Sequence, residues 1–169
     1  MNRVALLIGG NQGDRHRLIE QATVLIQQCI GTVVVASRNY ETEPWGEFEE
    51  PPAPFLNRAL LVQTPLSATE VLHEALSIEA RLGRVRKPSD LRLPASSVGD
   101  RPPLYHSRPM DIDIIFYNDE VIDTPDLHIP HPRMHLRRFV LEPLAEIIPD
   151  YRHPLLGKTV QELFEIANT

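Results

Sequence analysis

The segment of this sequence best suited to chemistry is the run from Arg108 to Ile115, Arg-Pro-Met-Asp-Ile-Asp-Ile-Ile, with its paired carboxylates Asp111 and Asp113. Side chains alternate across a strand, so the two aspartates are expected on one face about 7 Å apart, with Ile112 and Ile114 on the other. Adjacent carboxylates repel and tend to raise each other's pKa, so a cation is expected between them. Hard oxygen donors select Mg2+ or Mn2+ over zinc. Ions held this way can bridge phosphate oxygens and neutralise the charge that develops in phosphoryl transfer. A solvated edge strand with two wet aspartates is the plainer alternative, and the basic segment leading into the strand argues against it.

That segment carries six basic residues (Arg84, Arg86, Lys87, Arg92, Arg101, Arg108) against two acids, Asp90 and Asp100. Attraction to the negative end of the preceding helix accounts for Arg84 and Lys87 but not for all six. Arginine forks match phosphate oxygens, and a long loop rich in proline and serine is suited to closing over a substrate. Glu79, one turn before Arg84, reads from its position as an exposed helix residue in an ordinary ion pair. His128, His131 and His135 suggest zinc at first sight. Pro130 and Pro132 break the helical ligand spacing, and no cysteine lies nearby. With Arg133, Arg137 and Arg138 close in sequence, His131 is better read as a donor to a phosphate oxygen. The run Gly9-Gly10-Asn11-Gln12-Gly13 fits neither GxGxxG nor GxxxxGK[ST] and is read as a tight turn.

The elements that must position these residues follow from periodicity and punctuation. All 16 prolines fall between Pro44 and Pro154, so the first 43 residues are free of them. Arg3–Ile8 is a short apolar strand, closed by the glycine turn. Leu18, Ala22, Leu25, Ile26 and Cys29 give a helix from about Asp14 to Cys29, stopped by Gly31. Thr32–Tyr40 and Phe55–Thr64 read as strands. Ser67 and Glu70 form a capping box that opens a helix to about Leu82. Met110–Tyr117 is the acidic strand, followed by a turn and a short strand at Val121–Asp123. Helices are expected at Met134–Arg137, Phe139–Ile147 and after the capping box Thr159/Glu162. The order βαββαββ, then helices, predicts an α+β fold with a ferredoxin-like βαββαβ core, an antiparallel sheet with helices packed on it in three layers.

The 169 residues suggest a single domain spanning 1–169. No apolar run approaches the roughly 20 residues of a membrane span, and the N-terminus lacks a signal-peptide pattern. With one cysteine, Cys29, a cytoplasmic location is expected. A net charge of −6 disfavours nucleic acid as a partner. An acidic protein with one basic loop suits a small polyanion better.

Six segments converge on one family: ALLIGGNQGDR, SRNYETEPWG, PFLNRAL, IEARLGRVR, RPMDIDIIFYNDEVI and IPHPRMHLRRFVLEPLAEIIP. In this order, from residue 5 to about 149, the chain resembles 6-hydroxymethyl-7,8-dihydropterin pyrophosphokinase of folate biosynthesis. The resemblance implies transfer of the β,γ-diphosphate of ATP to the pterin hydroxymethyl oxygen, with AMP released. It implies two Mg2+ ions held by Asp111 and Asp113. It makes Arg84, Arg86 and Arg108 phosphate-contacting and catalytic, with His131, Arg137 and Glu79 completing the ATP site. Thr42, Pro44, Phe55, Asn57 and Phe139 match the pterin pocket. A flat pterin suits stacking between aromatic rings, and the Asn57 amide can both donate and accept at its edge. The chain departs from the family pattern in the length of loop 87–107, in Tyr105-His106-Ser107 before Arg108, and at Leu76, Asp126 and His128. A monomer is expected. A palm-like nucleotidyltransferase and a nucleotide-binding regulatory module are the other two readings of paired aspartates on such a sheet.

Overall fold

The computed structural model describes residues 1–42, 54–83 and 109–168. Pro44, Arg84, Arg86, Arg108, Tyr105 and the loop 87–107 lie outside the described residues. The elements are β1 (Asn2–Gly10), α1 (Arg15–Cys29), β2 (Thr32–Ala36), β3 (Tyr40–Thr42), β4 (Phe55–Thr64), α2 (Ala68–Arg81) and β5 (Asp111–Tyr117). After these come β6 (Ile122–Asp123), β7 (His128–Ile129), a 3-10 turn at Met134–Leu136, α3 (Arg138–Ile147) and α4 (Val160–Ala167).

The main sheet runs β2-β4-β1-β5, with β3 also on β4, and every pairing is antiparallel. This is the expected α+β sheet. Alternation along β1 divides the core. Val4, Leu6 and Ile8 face α1 and α2, where they meet Ile19, Ile26, Val71 and Ile78. Ala5 and Leu7 face the other way, against Met134, Leu141, Leu144 and Leu163 from the C-terminal elements. Helices therefore cover both faces, as two separate apolar clusters on one sheet.

Local chemistry sets the boundaries. Asp14 caps α1 by accepting from the Arg17 amide, and both capping boxes form in full, Ser67 with Glu70 and Thr159 with Glu162. Three expectations need correction. Gly9 and Gly10 belong to the strand, where β4 pairs with both, and are not a turn. The span Thr32–Tyr40 is two strands. The Ser37 hydroxyl donates to the Arg38 carbonyl and accepts from the Ala59 amide, so it competes with the ladder and inserts one extra residue between the Ala36–Leu60 and Tyr40–Asn57 pairs. The segment 125–132, for which no strand is expected, holds β7, which pairs with β6.

Strand β5 is also bulged. Leu6 faces Ile114 and Ala5 faces Phe116, so Ile115 is the extra residue. This resets the alternation, and Phe116 packs in the C-terminal cluster on the aspartate face, whereas Ile112 and Ile114 lie in the α1/α2 cluster.

Candidate active site

The site is built on one end of the sheet face that carries α3 and α4. Gly9 is paired with Asn57 on one side and Asp111 on the other, so the three form a row across β4, β1 and β5. The next row is Ala59, Leu7 and Asp113. Two interstrand spacings put the Asn57 and Asp111 backbones about 10 Å apart. Between them the row holds no side chain, because a Cβ on Gly9 would lie 2.3 Å from the Leu56 carbonyl oxygen and 2.4 Å from Asn57 Oδ1. The glycine gives both a close approach of β1 to β4 and an open floor between the two residues.

On the β4 side, Asn57 is buried and its Nδ2 donates to Thr42 Oγ1 at 3.0 Å. That bond orients the amide so that Oδ1 faces Gly9. Phe55 precedes it on the same face, is half-buried and pairs with Thr42. Thr42, Phe55 and Asn57, three of the predicted pterin residues, are thus brought together. Phe139, at the start of α3, is half-buried against the C-terminal cluster. The Arg137 guanidinium lies 5.7 Å from its ring centroid.

On the β5 side, Asp111 and Asp113 are half-buried and share a face, as their spacing predicts. Because β5 is the outer strand, its free edge needs partners from outside the sheet. Two are present. The Ile112 amide donates to Glu79 Oε2 at 2.7 Å, and the His131 amide donates to the Ile115 carbonyl at 3.0 Å. Glu79 is buried at 3% exposure, which corrects the reading of it as an exposed acid in a surface ion pair. The second contact ties the histidine loop to the strand bulge, and so brings His131 toward the acidic strand.

His131 is pushed down to about 4 by burial and by the Arg137 and Arg133 guanidiniums, with Asp111 pulling the other way. The ring is therefore neutral near pH 7. Its Nδ1 accepts from the Arg133 amide at 3.4 Å, which leaves the proton on Nε2. The mutual influence of His131, Arg137 and Asp111 gathers three predicted residues into one neighbourhood. His128 and His135 do not join it: His128 pairs with Asp123 at 2.7 Å, and the His135 ring stands edge-on to His153.

Among the described residues no three His, Cys, Asp or Glu side chains gather to hold a metal ion by themselves. Two carboxylates with further ligands from water and phosphate oxygens fit Mg2+, which favours such mixed coordination. They do not fit a closed structural zinc site. A cavity of about 640 Å3, lined by Arg3, Phe116, Asn118, Asp119 and Tyr151 among others, lies at the opposite end of the sheet and holds none of the predicted residues.

Residues 5–149 match the family described as 7,8-dihydro-6-hydroxymethylpterin-pyrophosphokinase (HPPK). The chain belongs to this family. It is 40% identical over 152 residues to the 2-amino-4-hydroxy-6-hydroxymethyldihydropteridine pyrophosphokinase of Porphyromonas gingivalis, covering 89% of this chain and 93% of that one. It is 40% identical over 149 residues to the Bacillus subtilis protein of the same name, covering 87% and 79% respectively. In fold it resembles the crystal structure of Plasmodium falciparum HPPK-DHPS with pteroate, at a TM-score of 0.73 and 17% identity over 98% of this chain. This HPPK chain spans 42% of that larger one.

Sequence reasoning misses the part Gly9 plays in the row, and it names Glu79 without the burial or the Ile112 contact that the structure shows. In the sequence Gly9 reads as part of a turn, although an apolar strand running straight into a glycine pair is equally a strand whose last residues must lie flat against a neighbour. The Glu79 contact had a fainter signal, an acid on the otherwise apolar stripe of α2 beside Ile78.

Proposed function

We propose that the protein transfers diphosphate from ATP to 6-hydroxymethyl-7,8-dihydropterin, giving AMP and the pterin diphosphate, in folate biosynthesis. The observation that carries this reading is the Asn57–Gly9–Asp111 row. It sets a buried amide, with Phe55 two residues away on the same strand face, about two strand spacings from a pair of carboxylates. An acceptor bound at one end can thus present its hydroxymethyl oxygen to a polyphosphate held at the other.

In this reading Thr42, Pro44, Phe55, Asn57 and Phe139 hold the pterin. Asn57 Oδ1 accepts from its ring edge, and the two phenylalanines stack on its faces. Asp111 and Asp113 would hold two Mg2+ ions. When bound, the ions supply neutralisation of the phosphate charge and alignment of the β-phosphorus. His131 Nε2–H and Arg137 donate to phosphate oxygens. Glu79 belongs to the ATP end of the site, and Arg84, Arg86 and Arg108 supply the remaining positive charge. The acceptor oxygen forms a bond to the β-phosphorus, the bond from the β-phosphorus to the bridging α,β-oxygen breaks, and AMP leaves. The hydroxyl proton passes to solvent. Catalysis is positioning and charge neutralisation, with no side chain assigned as general base.

The chain is proposed to act as one cytoplasmic, monomeric domain without a nucleic-acid partner. Among the described residues no helix is long and apolar enough to cross a membrane. The test is product identity: incubation with ATP, Mg2+ and the hydroxymethyl pterin is expected to yield AMP in a pterin-dependent way. ADP, pyrophosphate, or binding of ATP without turnover would each overturn the assignment.

A further inference from the structure

Among the described residues, the two aspartates sit on a strand that the sheet holds from one side only. Asp111 and Asp113 are paired with Gly9 and Leu7 of β1, and the residue between them, Ile112, turns its amide to the free edge. There Glu79 accepts it at 2.7 Å from the last turn of α2. The carboxylate is almost wholly buried, a placement that is unfavourable unless hydrogen bonds compensate for lost hydration. The bond donated by the Ile112 amide to Glu79 Oε2 supplies such compensation.

We infer that Glu79 is a positioning residue for the acidic strand: its carboxylate fixes the backbone between Asp111 and Asp113 and so sets the separation of the two carboxylates before any ion binds. This rests on the proposed use of the two aspartates as metal ligands. It gives Glu79 a role through the protein's own backbone, not through contact with a nucleotide. The helix that carries it is well anchored. The Ser67–Glu70 capping box fixes one end, and the Leu82 amide donates to the Ile78 carbonyl at the other. Val71, Ala75 and Ile78 seat the helix on the same cluster as Ile112 and Ile114. A shift of α2 is thereby passed directly to the acidic strand.

Three substitutions separate the hydrogen bond from the charge. Glu79→Gln keeps an acceptor of the same reach without charge. Glu79→Asp keeps the charge and shortens the reach by one methylene. Glu79→Ala removes both. The first readout is amide hydrogen exchange at Ile112 in the metal-free full-length protein, followed by NMR. The second is binding of Mn2+ with a non-hydrolysable ATP analogue.

The Ile112 amide is expected to stay protected in Glu79→Gln and to exchange about 10- to 100-fold faster in Glu79→Asp and Glu79→Ala, the loss typical of a buried donor left unsatisfied. Mn2+ affinity should follow the same order. Turnover of the Asp variant should fall in kcat while the pterin KM holds. Unchanged Ile112 exchange in both Asp and Ala variants would overturn the inference. Intact Mn2+ binding in Asp with loss in Gln would overturn it too, by assigning the role to charge. If Ala fails to fold, the Gln and Asp pair decides alone. Failure of the wild type to bind Mn2+ or release AMP would count against the proposed function, whereas the Ile112 exchange reads the positioning contact independently of it.

Discussion

Replacing Gly9 with alanine tests the central row of the site. The added Cβ would meet the Leu56 carbonyl oxygen at 2.3 Å, Asn57 Oδ1 at 2.4 Å and Asn57 Cα at 3.1 Å. The first and third contacts are backbone, so a rotamer change cannot relieve them, and the β1–β4 ladder must open. Overpacking of this kind costs about 1–3 kcal/mol. At about 2–4 °C per kcal/mol for a domain of this size, Tm should fall by about 2–12 °C. The displaced Asn57 Oδ1 should also weaken pterin binding about tenfold, the upper range for one hydrogen bond. Gly31→Ala is the control. Its Cβ would lie 2.0 Å from the Gln63 carbonyl oxygen, toward the opposite end of β4. It should destabilise comparably and leave pterin affinity alone. Thermal unfolding and calorimetric titration with the pterin at a temperature where all three proteins are folded read both quantities. A Gly9→Ala protein that loses stability but binds pterin like the wild type would refute the argument that the bare floor serves the site. Equal loss of affinity in Gly31→Ala would refute it as well.

Asp111→Asn and Asp113→Asn should each abolish AMP release while leaving the circular dichroism spectrum unchanged; wild-type turnover in either removes the proposed metal role. His131 has a folded-state pKa of about 4 against an ordinary 6.5, so the unfolded chain takes up a proton first as pH falls. Its contribution, about 3 kcal/mol, is present above pH 6.5 and is lost as pH drops to about 4, and urea melts of His131→Asn should show a shallower decline across that window. Burial and His135 push His153 down too, so some acid sensitivity should remain. Ser67→Ala should cost about 1 kcal/mol by removing half of the α2 capping box, read as a lower urea midpoint at unchanged m-value.

Much of this architecture was legible because it is encoded locally. The capping boxes of α2 and α4, the alternation of Asp111 to Ile114 and the apolar stripes of the first two helices each need only neighbouring residues, and each formed as its pattern implies. What sequence reasoning missed depends on a distant partner. Ser37 breaks a β-rich run because the Ala59 amide, 22 positions away, reaches its hydroxyl. Ile115 bulges, and the His131 amide then finds its carbonyl. Gly9 and Gly10 extend a strand because β4 lies against them. A glycine's single-residue signal is conformational freedom, and here its use is the absence of volume.

The same distinction separates the two ends of the site. The Asn57 end lies in the sheet interior, where β1 and β4 pair through nine consecutive positions and β3 closes the other side, so its geometry follows from the ladder itself. The Asp111 end lies on an edge strand, whose outward-facing groups are met by contacts from α2 and from the loop after β7. An edge strand held by a few discrete contacts can be tuned by substitutions that never touch a substrate, whereas an interior strand resists them. Changes along α2 or around residues 129–131 are therefore expected to alter metal dependence while sparing pterin affinity, and changes in β4 the reverse. A scan of buried positions in the two regions, read as Mn2+ affinity against pterin affinity, would show two separable groups if the ends of the row are held independently. A single correlated group would mean that the sheet transmits strain across Gly9 as one rigid unit.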